Sequence, residues 1–444
     1  MRFLPHSVLL LAAACVPLGT PIITGTAPGA SAQQAAPEYF ADKTLRYQDY
    51  VYSPDVKSVQ CYVATGVQTE VFLPPVVPLG QGQPVVLEFD VLSSQTQRLT
   101  AKLIHCDMGW QPSVLTDMQF LNEINEFLLT DYRTSVGGKV PYYHYRLPVP
   151  RVKISGNYLL VVQAPGGVPL VSRRLVVYEN QVQVGLRPGI VAGGQERYTL
   201  QQLDFVINYS GANLVNPAAE VKVVLRQNFR WDNAHYSLAP TFVRDAEQRL
   251  DYQYFNFENT FPGLSEYRFF DTRSLLAPGL AVQSIDARAN PRAVTLLPET
   301  PRGTLAYNQY VDTNGQRVFE SREYGDGRSN ADYANVTFQL AAPAPAPGPV
   351  YVLGALTDWQ LKDEFRMTYD EATQRYTGHA LLKQGYYNYS FAVAERGKAP
   401  NELYFEGTHT ETENQYDLLV YYRPPGTRTD LLIGYQQIDM NSRQ

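Results

Sequence analysis

Cysteine is close to absent: the 444 residues contain 3, at positions 15, 61 and 106. No C-x-x-C knuckle, H-E-x-x-H helix, Walker loop or G-x-S-x-G elbow occurs. Structural zinc, zincin-type hydrolysis, phosphate cradling and serine-elbow chemistry therefore have no motif to carry them. The 6 histidines are scattered at 6, 105, 144, 235, 379 and 409, without a metal-ligand spacing. Lysine and arginine form no block and the formal net charge is -6, which sets nucleic acid aside as a partner. Beyond the N-terminal leader no stretch approaches the ~18 uninterrupted apolar residues that a membrane-spanning helix needs. Charged residues are 18% against 44% hydrophobic, so global disorder is excluded as well.

Tyrosine is what the chain has in excess: 32 residues, against 5 Met and 3 Trp. Tyr fits half-buried pleated surfaces and wet interfaces, which points to β structure and contact surfaces. The N-terminus reads as a secretory leader. Arg2 precedes an apolar core over 8–15, and Ala30-Ser31-Ala32 supplies the small-x-small pattern that leader peptidases cut, giving a signal peptide over 1–32. A second reading competes, in which Leu11-Ala12-Ala13-Ala14-Cys15 is a relaxed lipobox and Cys15 a lipid anchor, although Ala12 fits poorly where a lipobox has Leu. Both readings take the protein out of the cytoplasm. In the exported body Cys61 and Cys106 either pair or serve as small hydrophobes on apolar runs, and spacing alone does not choose.

At ~100–200 residues per domain, the length suggests two to four domains. Short strands separated by Pro and Gly point to an all-β protein of tandem immunoglobulin-like or early-set β-sandwich domains. The first occupies 42–179, with strands near 57–63, 85–89, 142–147, 157–162 and 175–178. Within it, Leu115, Met118, Leu121, Ile124 and Phe127 recur every three residues, predicting a short helical insertion over a sheet edge. The second domain occupies 181–340 and includes a hairpin over 307–320 with Asn314-Gly315 at its tip. Residues 341–349 read AAPAPAPGP, a stiff linker. A third sandwich follows over 350–444.

No catalytic constellation emerges, and the chain reads as a non-enzyme without cofactor or metal. His105-Cys106-Asp107 invites a nucleophile beside its base, but adjacent strand residues point to opposite faces, so a strand end is the plainer reading. Asp312-x-Asn314-Gly315 starts like a calcium loop and then lacks the later ligands, including the closing Glu. Arg173 and Arg174 face opposite sides of a strand, where they brace carboxylates or meet a partner. Tyr142, Tyr143, Tyr145, Tyr386 and Tyr387 are cross-strand packing or interface anchors. Together with Trp110 and Trp231, these residues form the candidate interface set.

Several stretches, in order, resemble the plug protein family of the bacterial type IX secretion system. They include Val56-Lys57-Ser58-Val59-Gln60, Leu87-Glu88-Phe89-Asp90, Ile104-His105-Cys106-Asp107 with Trp110, and Ser155-Gly156-Asn157-Tyr158-Leu159-Leu160. Arg173-Arg174-Leu175-Val176-Val177, Gln227-Asn228 with Trp231-Asp232, Glu266-Tyr267-Arg268-Phe269-Phe270-Asp271, Lys383-Gln384-Gly385-Tyr386-Tyr387-Asn388-Tyr389, Glu406-Gly407 and Leu432-Ile433-Gly434-Tyr435 continue the match to about residue 437. The resemblance implies a periplasmic, non-catalytic β protein on the inner face of the outer membrane. There it would bind a very large outer-membrane translocon barrel and seal the channel when no cargo occupies it. Cys61 departs from the family pattern, where a plain hydrophobe is expected, and the proline-rich spacer is longer than usual.

Two rivals remain at this stage. The third domain is similar to early-set modules that bind glucans, with Trp359 and Tyr387 as stacking platforms, which would make this a carbohydrate-binding surface or periplasmic protein. An outer-membrane β-barrel is the other, opposed by short irregular strands and a terminal Ser442-Arg443-Gln444 without the aromatic usual in barrels.

Overall fold

The run Asn157-Tyr158-Leu159-Leu160-Val161-Val162 has no polar alternation, and a strand of that kind has to be covered on both faces. It lies in the strand Gly156–Ala164 of the computed structural model, which describes residues 40, 42–80, 84–236 and 238–442. Tyr158, Leu160 and Val162 enter one core with Val51, Leu87, Phe89 and Leu103. Leu159 and Val161 point the other way, onto Val224, Leu419, Tyr421 and Leu432. One apolar strand thus serves two bodies. The signal-peptide motif at 30–32 and Cys15 lie outside the described residues.

The protein is all-β, with helices of a single turn. In the first sandwich, one sheet orders Tyr50–Val51, Val168–Tyr178, Gly156–Ala164, Thr100–Cys106 and Phe127–Leu128, with Val76–Pro78 parallel to Val168–Tyr178. The facing sheet orders Val56–Val63, Val85–Val91, Tyr143–Pro148 and Asp131–Thr134. The second sandwich pairs Gln183–Pro188, Leu200–Asn208, Arg249–Tyr252 and Phe242–Arg244, with Thr260–Pro262 alongside. Its facing sheet orders His235–Tyr236, Val221–Gln227, Asn414–Tyr422 and Leu431–Met440. The third body is a 10-stranded sheet that curls around a core containing Phe270, Val336, Phe338, Val352, Tyr387 and Phe391.

The domain boundaries expected at 181–340 and 350–444 are corrected by this pairing. Arg268–Asp271 and Arg317–Ser321 bond to Gly385–Val393, and Tyr333–Ala341 bonds to Arg375–Lys383, all across the supposed linker. Val221–Gln227 pairs with Asn414–Tyr422 in the opposite direction. The third body is therefore inserted between two halves of the second sandwich. Residues 341–349 pack against it: Ala342 is 4% exposed, the Ala346 N–H donates to Tyr376 Oη at 2.6 Å, and Pro349 O accepts from the Ala394 N–H at 2.8 Å. A proline-rich run lacks its own core, but it can cross the end of someone else's.

Two smaller expectations also change, and the choice left open for the cysteines closes. The helical insertion contracts to the turn Asp117–Phe120, where Gln119 accepts from the Thr116 N–H at 2.8 Å. Met118 and Ile124 are 77% and 83% exposed, and Phe127 belongs to a strand. Asn314 and Gly315 do form a tight turn, with φ of 50° and 78°. Its incoming limb is no strand, because Tyr310 Oη donates to Glu266 O at 2.9 Å and Asp312 accepts from the Asn314 N–H at 2.7 Å. Cys61 and Cys106 are both free thiols.

A buried charge cluster clamps the first sandwich to the third body. Asp90 accepts from Lys383 Nζ at 2.7 Å and Tyr333 Oη at 2.7 Å, and meets His144 Nδ1 at 2.8 Å. Glu88 meets Arg328 at 3.0 Å and Arg146 at 3.2 Å, and lies 3.9 Å from His144 Nε2. Burial alone would lower the His144 pKa, but the carboxylates of Asp90 and Glu88 outweigh it, against Lys383, and raise it. Burial alone would raise Glu88, yet His144 and Arg328 hold it down to about 2.

The signs fix a pH window. His144 contributes stability that is complete below its unfolded value of about 6.5 and is lost as pH rises through the raised folded value. Glu88 contributes above its unfolded value of about 4.3 and fails as pH falls towards the folded one. The urea midpoint should peak between about pH 4.3 and 6.5, and His144→Gln should remove the decline on the alkaline side. An alkaline limb unchanged by His144→Gln would show that another group sets it.

A cation-lined cleft as candidate functional site

Arg173 and Arg174 are consecutive residues of Val168–Tyr178, so their side chains leave opposite faces of the strand. Arg173 reaches Asp358 of the third body at 3.0 Å. Arg174 turns towards the second sandwich, where its guanidinium lies 4.5 Å from the Trp110 ring and 5.3 Å from the Trp231 ring. Its Nε and Nη2 donate to Tyr47 O at 3.0 and 2.6 Å. The two tryptophans meet edge to face at 4.9 Å. Such guanidinium–aromatic contacts contribute about 0.5–2 kcal/mol each, more as water is excluded.

The turn that follows Val221–Gln227 builds the next wall. Asn228 and Phe229 both hold positive φ, 53° and 58°, which swings Arg230 and Trp231 out of line with the strand. Arg226, buried and ion-paired with Asp417, covers Trp231 at 4.0 Å. Arg230 bonds Asp232 and Glu402 at 2.6 Å each and covers Trp359 at 3.9 Å. Asp358 and Trp359 themselves sit at positive φ, 54° and 58°. Three bodies thus each supply a strained or buried segment to one junction.

The junction encloses a cleft of about 830 Å³, in the upper part of the about 300–1,000 Å³ usual for ligand sites. Eight arginine and lysine side chains line it against the four carboxylates of Asp49, Asp232, Asp358 and Glu395. Arg317 is 8% exposed and donates through Nη2 to Val59 O at 2.6 Å and through Nη1 to Ala355 O. Among the described residues no carboxylate pairs with it directly, and burial pushes its pKa down. Asp358 is shared: Arg173 holds it at 3.0 Å and Lys362 at 2.9 Å, with Arg317 nearby. Burial would raise the Asp358 pKa, but these cations hold it well below the carboxylate range.

Of the candidate interface residues, Trp110, Arg174 and Trp231 come together in one stack, and Arg173 lies at the cleft. The others do not join them. Tyr142, Tyr145 and Tyr387 are at most 1% exposed, as core residues. Tyr142 Oη donates to Ala331 O at 2.6 Å, and Tyr145 stacks on Phe89 at 5.4 Å. Tyr143 is half-buried against Tyr132, and Tyr386 half-buried against Phe269. Trp110 itself is only 2% exposed. As surface anchors, Trp110, Tyr142, Tyr145, Arg173 and Tyr387 are corrected: they bind parts of this chain to one another. Arg226, Arg230 and Arg317 escaped notice because nothing in their local sequence shows that distant strands bring them to one cavity.

The glucan-stacking role of Trp359 and Tyr387 is corrected too. Tyr387 lies flat on Phe270 at 4.8 Å inside the core. Trp359 has Arg230 over its face and Tyr267 at 5.7 Å. His105 and Cys106 do diverge as alternation requires, His105 towards Phe120 and Tyr158 and Cys106 into the cluster with Trp110.

Residues 56–179, the first sandwich almost entire, match the family model of the type 9 secretion system plug protein 1st domain. The first sandwich is a first domain of the type IX secretion system plug family. The matched residues supply Trp110, Arg173 and Arg174, and the second and third bodies lie outside the match. A crystal structure of a hypothetical protein from Parabacteroides merdae superposes with a TM-score of 0.82 at 28% identity, covering 89% of this chain and 100% of that one. A complex of Dpr2 Ig1-Ig2 with DIP-Theta Ig1-Ig3 covers 86% of this chain and 98% of that one, at 9% identity and a TM-score of 0.13, and carries no argument. No curated protein matches the sequence. Among the described residues no helix is long and apolar enough to cross a membrane. The match of the first sandwich to a secretion-system plug domain is consistent with a non-enzymatic role.

Proposed function

We propose that this protein binds the outer-membrane translocon of the type IX secretion system from the periplasm and seals its channel when no cargo is present. The observation that carries the reading is the plug-family match over the first sandwich. A barrel mouth wide enough for folded cargo needs a broad contact, about 1,200–2,000 Å² or more, presented by a body that holds its shape. Charge clusters and apolar seams join the three bodies here, and that rigidity favours a barrier. The resident compartment is the periplasm, against the inner face of the outer membrane, reached through the leader over 1–32. Lipidation at Cys15 is the competing means of attachment.

The full-length protein, tagged at its C-terminus and recovered from envelope extracts of its own organism, should bring with it one very large outer-membrane barrel at near-equal stoichiometry. Recovery of glycan-processing surface proteins without that barrel would sink the reading.

A further inference from the structure

We infer that the cleft at the three-body junction is a binding site for an extended acidic polypeptide segment. The protein as a whole carries a net charge of -6, yet this cavity has twice as many cations as carboxylates on its walls. The excess is spent internally only in part: Arg46 pairs with Asp42 at 3.4 Å and Lys398 with Glu395 at 2.8 Å. Arg226 and Arg230 are held by Asp417, Asp232 and Glu402. Among the described residues, however, Arg174, Arg317 and Arg396 have no carboxylate within ion-pair distance, and Asp358 is divided between Arg173 and Lys362.

Arg174 and Arg317 use backbone carbonyls where a carboxylate would serve better. Carbonyl partners satisfy hydrogen bonds without neutralising the charge; Asp49 near Arg174 and Asp358 near Arg317 offset it without a direct ion pair, and a buried cation without a direct counter-ion is costly. Burial depresses the pKa of both. A ligand carboxylate entering the cleft would supply the missing charge through paired N–H···O bonds, the contact that guanidinium geometry favours.

The walls favour a polypeptide over an anionic sugar. A sugar is gripped on open aromatic faces, and here Trp231 is covered by Arg226 and Trp359 by Arg230. The remaining lining includes the side-chain amides of Gln60, Gln316 and Gln360; Gln60 and Gln360 donate through Nε2 to Arg317 O and Asp49 O, which leaves their amide oxygens as acceptors for a peptide N–H. At about 830 Å³ the cavity exceeds what a single inorganic anion would fill. The inference stands independently of translocon sealing.

Fluorescence polarisation of the full-length protein tests it, with a labelled (Glu-Tyr)₄ peptide, its (Gln-Tyr)₄ counterpart and a sulfated hexasaccharide as probes. The acidic peptide should bind, about tenfold or more tighter than the Gln peptide, and weaken as salt rises. The exposed double reversal R396E/K398E should weaken it about fivefold or more without altering the unfolding midpoint. Arg317→Gln should do the same from the cleft floor, and its circular dichroism decides whether the fold is intact. Equal affinity for both peptides, indifference to R396E/K398E, binding of the sulfated saccharide alone, or no binding at millimolar peptide would each overturn the proposal.

Discussion

Replacing Lys383 by Met is expected to destabilise the protein by about 3–5 kcal/mol, because it leaves Asp90 charged and buried with its nearest cation gone. Asp90 is 0% exposed and Lys383 2% exposed, and their contact joins the first sandwich to the third body at 2.7 Å. Burial lowers the Lys383 pKa and Asp90 opposes that shift, so the carboxylate helps to keep the ammonium charged. Tyr333 Oη and His144 remain on Asp90 in the variant, but neither replaces the ammonium. The double variant D90N/K383M should recover about 1–2 kcal/mol, since it strands no charge. Three joined bodies need not unfold in a single step, so the reading is the midpoint of the first urea transition together with hydrogen exchange in Tyr333–Ala341. A single variant as stable as the parent would mean that water reaches Asp90.

A loss of similar size is expected for Asp417→Ala. Arg226 and Asp417 are direct cross-strand neighbours, 2% and 0% exposed, joined through Nε at 2.9 Å and through Nη2. Burial would lower the Arg226 pKa, but Asp417 outweighs it and raises it. Removing the carboxylate strands the guanidinium at a cost of about 3–5 kcal/mol. It also frees the group that covers Trp231, so the cleft wall should loosen, visible as a change in tryptophan fluorescence before unfolding. The double variant R226M/D417L should be much milder, within about 1–2 kcal/mol of the parent, because an apolar pair can fill the same space. A double variant as damaged as Asp417→Ala would show that the cost lies in shape and not in charge.

The strands were legible because the apolar pattern announces them. So was the opposition of Arg173 and Arg174, which follows from alternation alone and places one on each side of the strand. The unbroken run from Tyr158 to Val162 carried more than a strand, since only two-sided burial needs it, and the same pattern recurs at Leu418, Leu419, Val420 and Tyr421. Those two runs meet back to back. Partner choice was not legible: nothing local tells Val221–Gln227 to wait for Asn414–Tyr422, nearly two hundred residues later. The proline-rich 341–349 misled because composition reports what a segment cannot build, and says nothing of what it lies against. Tyrosine abundance pointed to contact surfaces, and many of those contacts are internal, as with Tyr142 on Ala331 and Tyr421 on Asn157.

The cleft was illegible for the same reason as the domain boundaries. Arg174, Arg226, Arg317 and Trp359 come from three bodies, and each looks ordinary in its own strand or turn. What binds them is tertiary: two tryptophans meeting edge to face, a shared Asp358, and guanidinium groups packed on rings.

Permeability of the outer membrane in cells lacking this protein is the most direct test of sealing. Uptake of a large hydrophilic antibiotic that the intact membrane excludes should rise on deletion, return to normal when the gene is restored, and stay low when the translocon barrel is deleted as well. Uptake that does not change on deletion, or that rises equally with and without the barrel, would contradict the plug function.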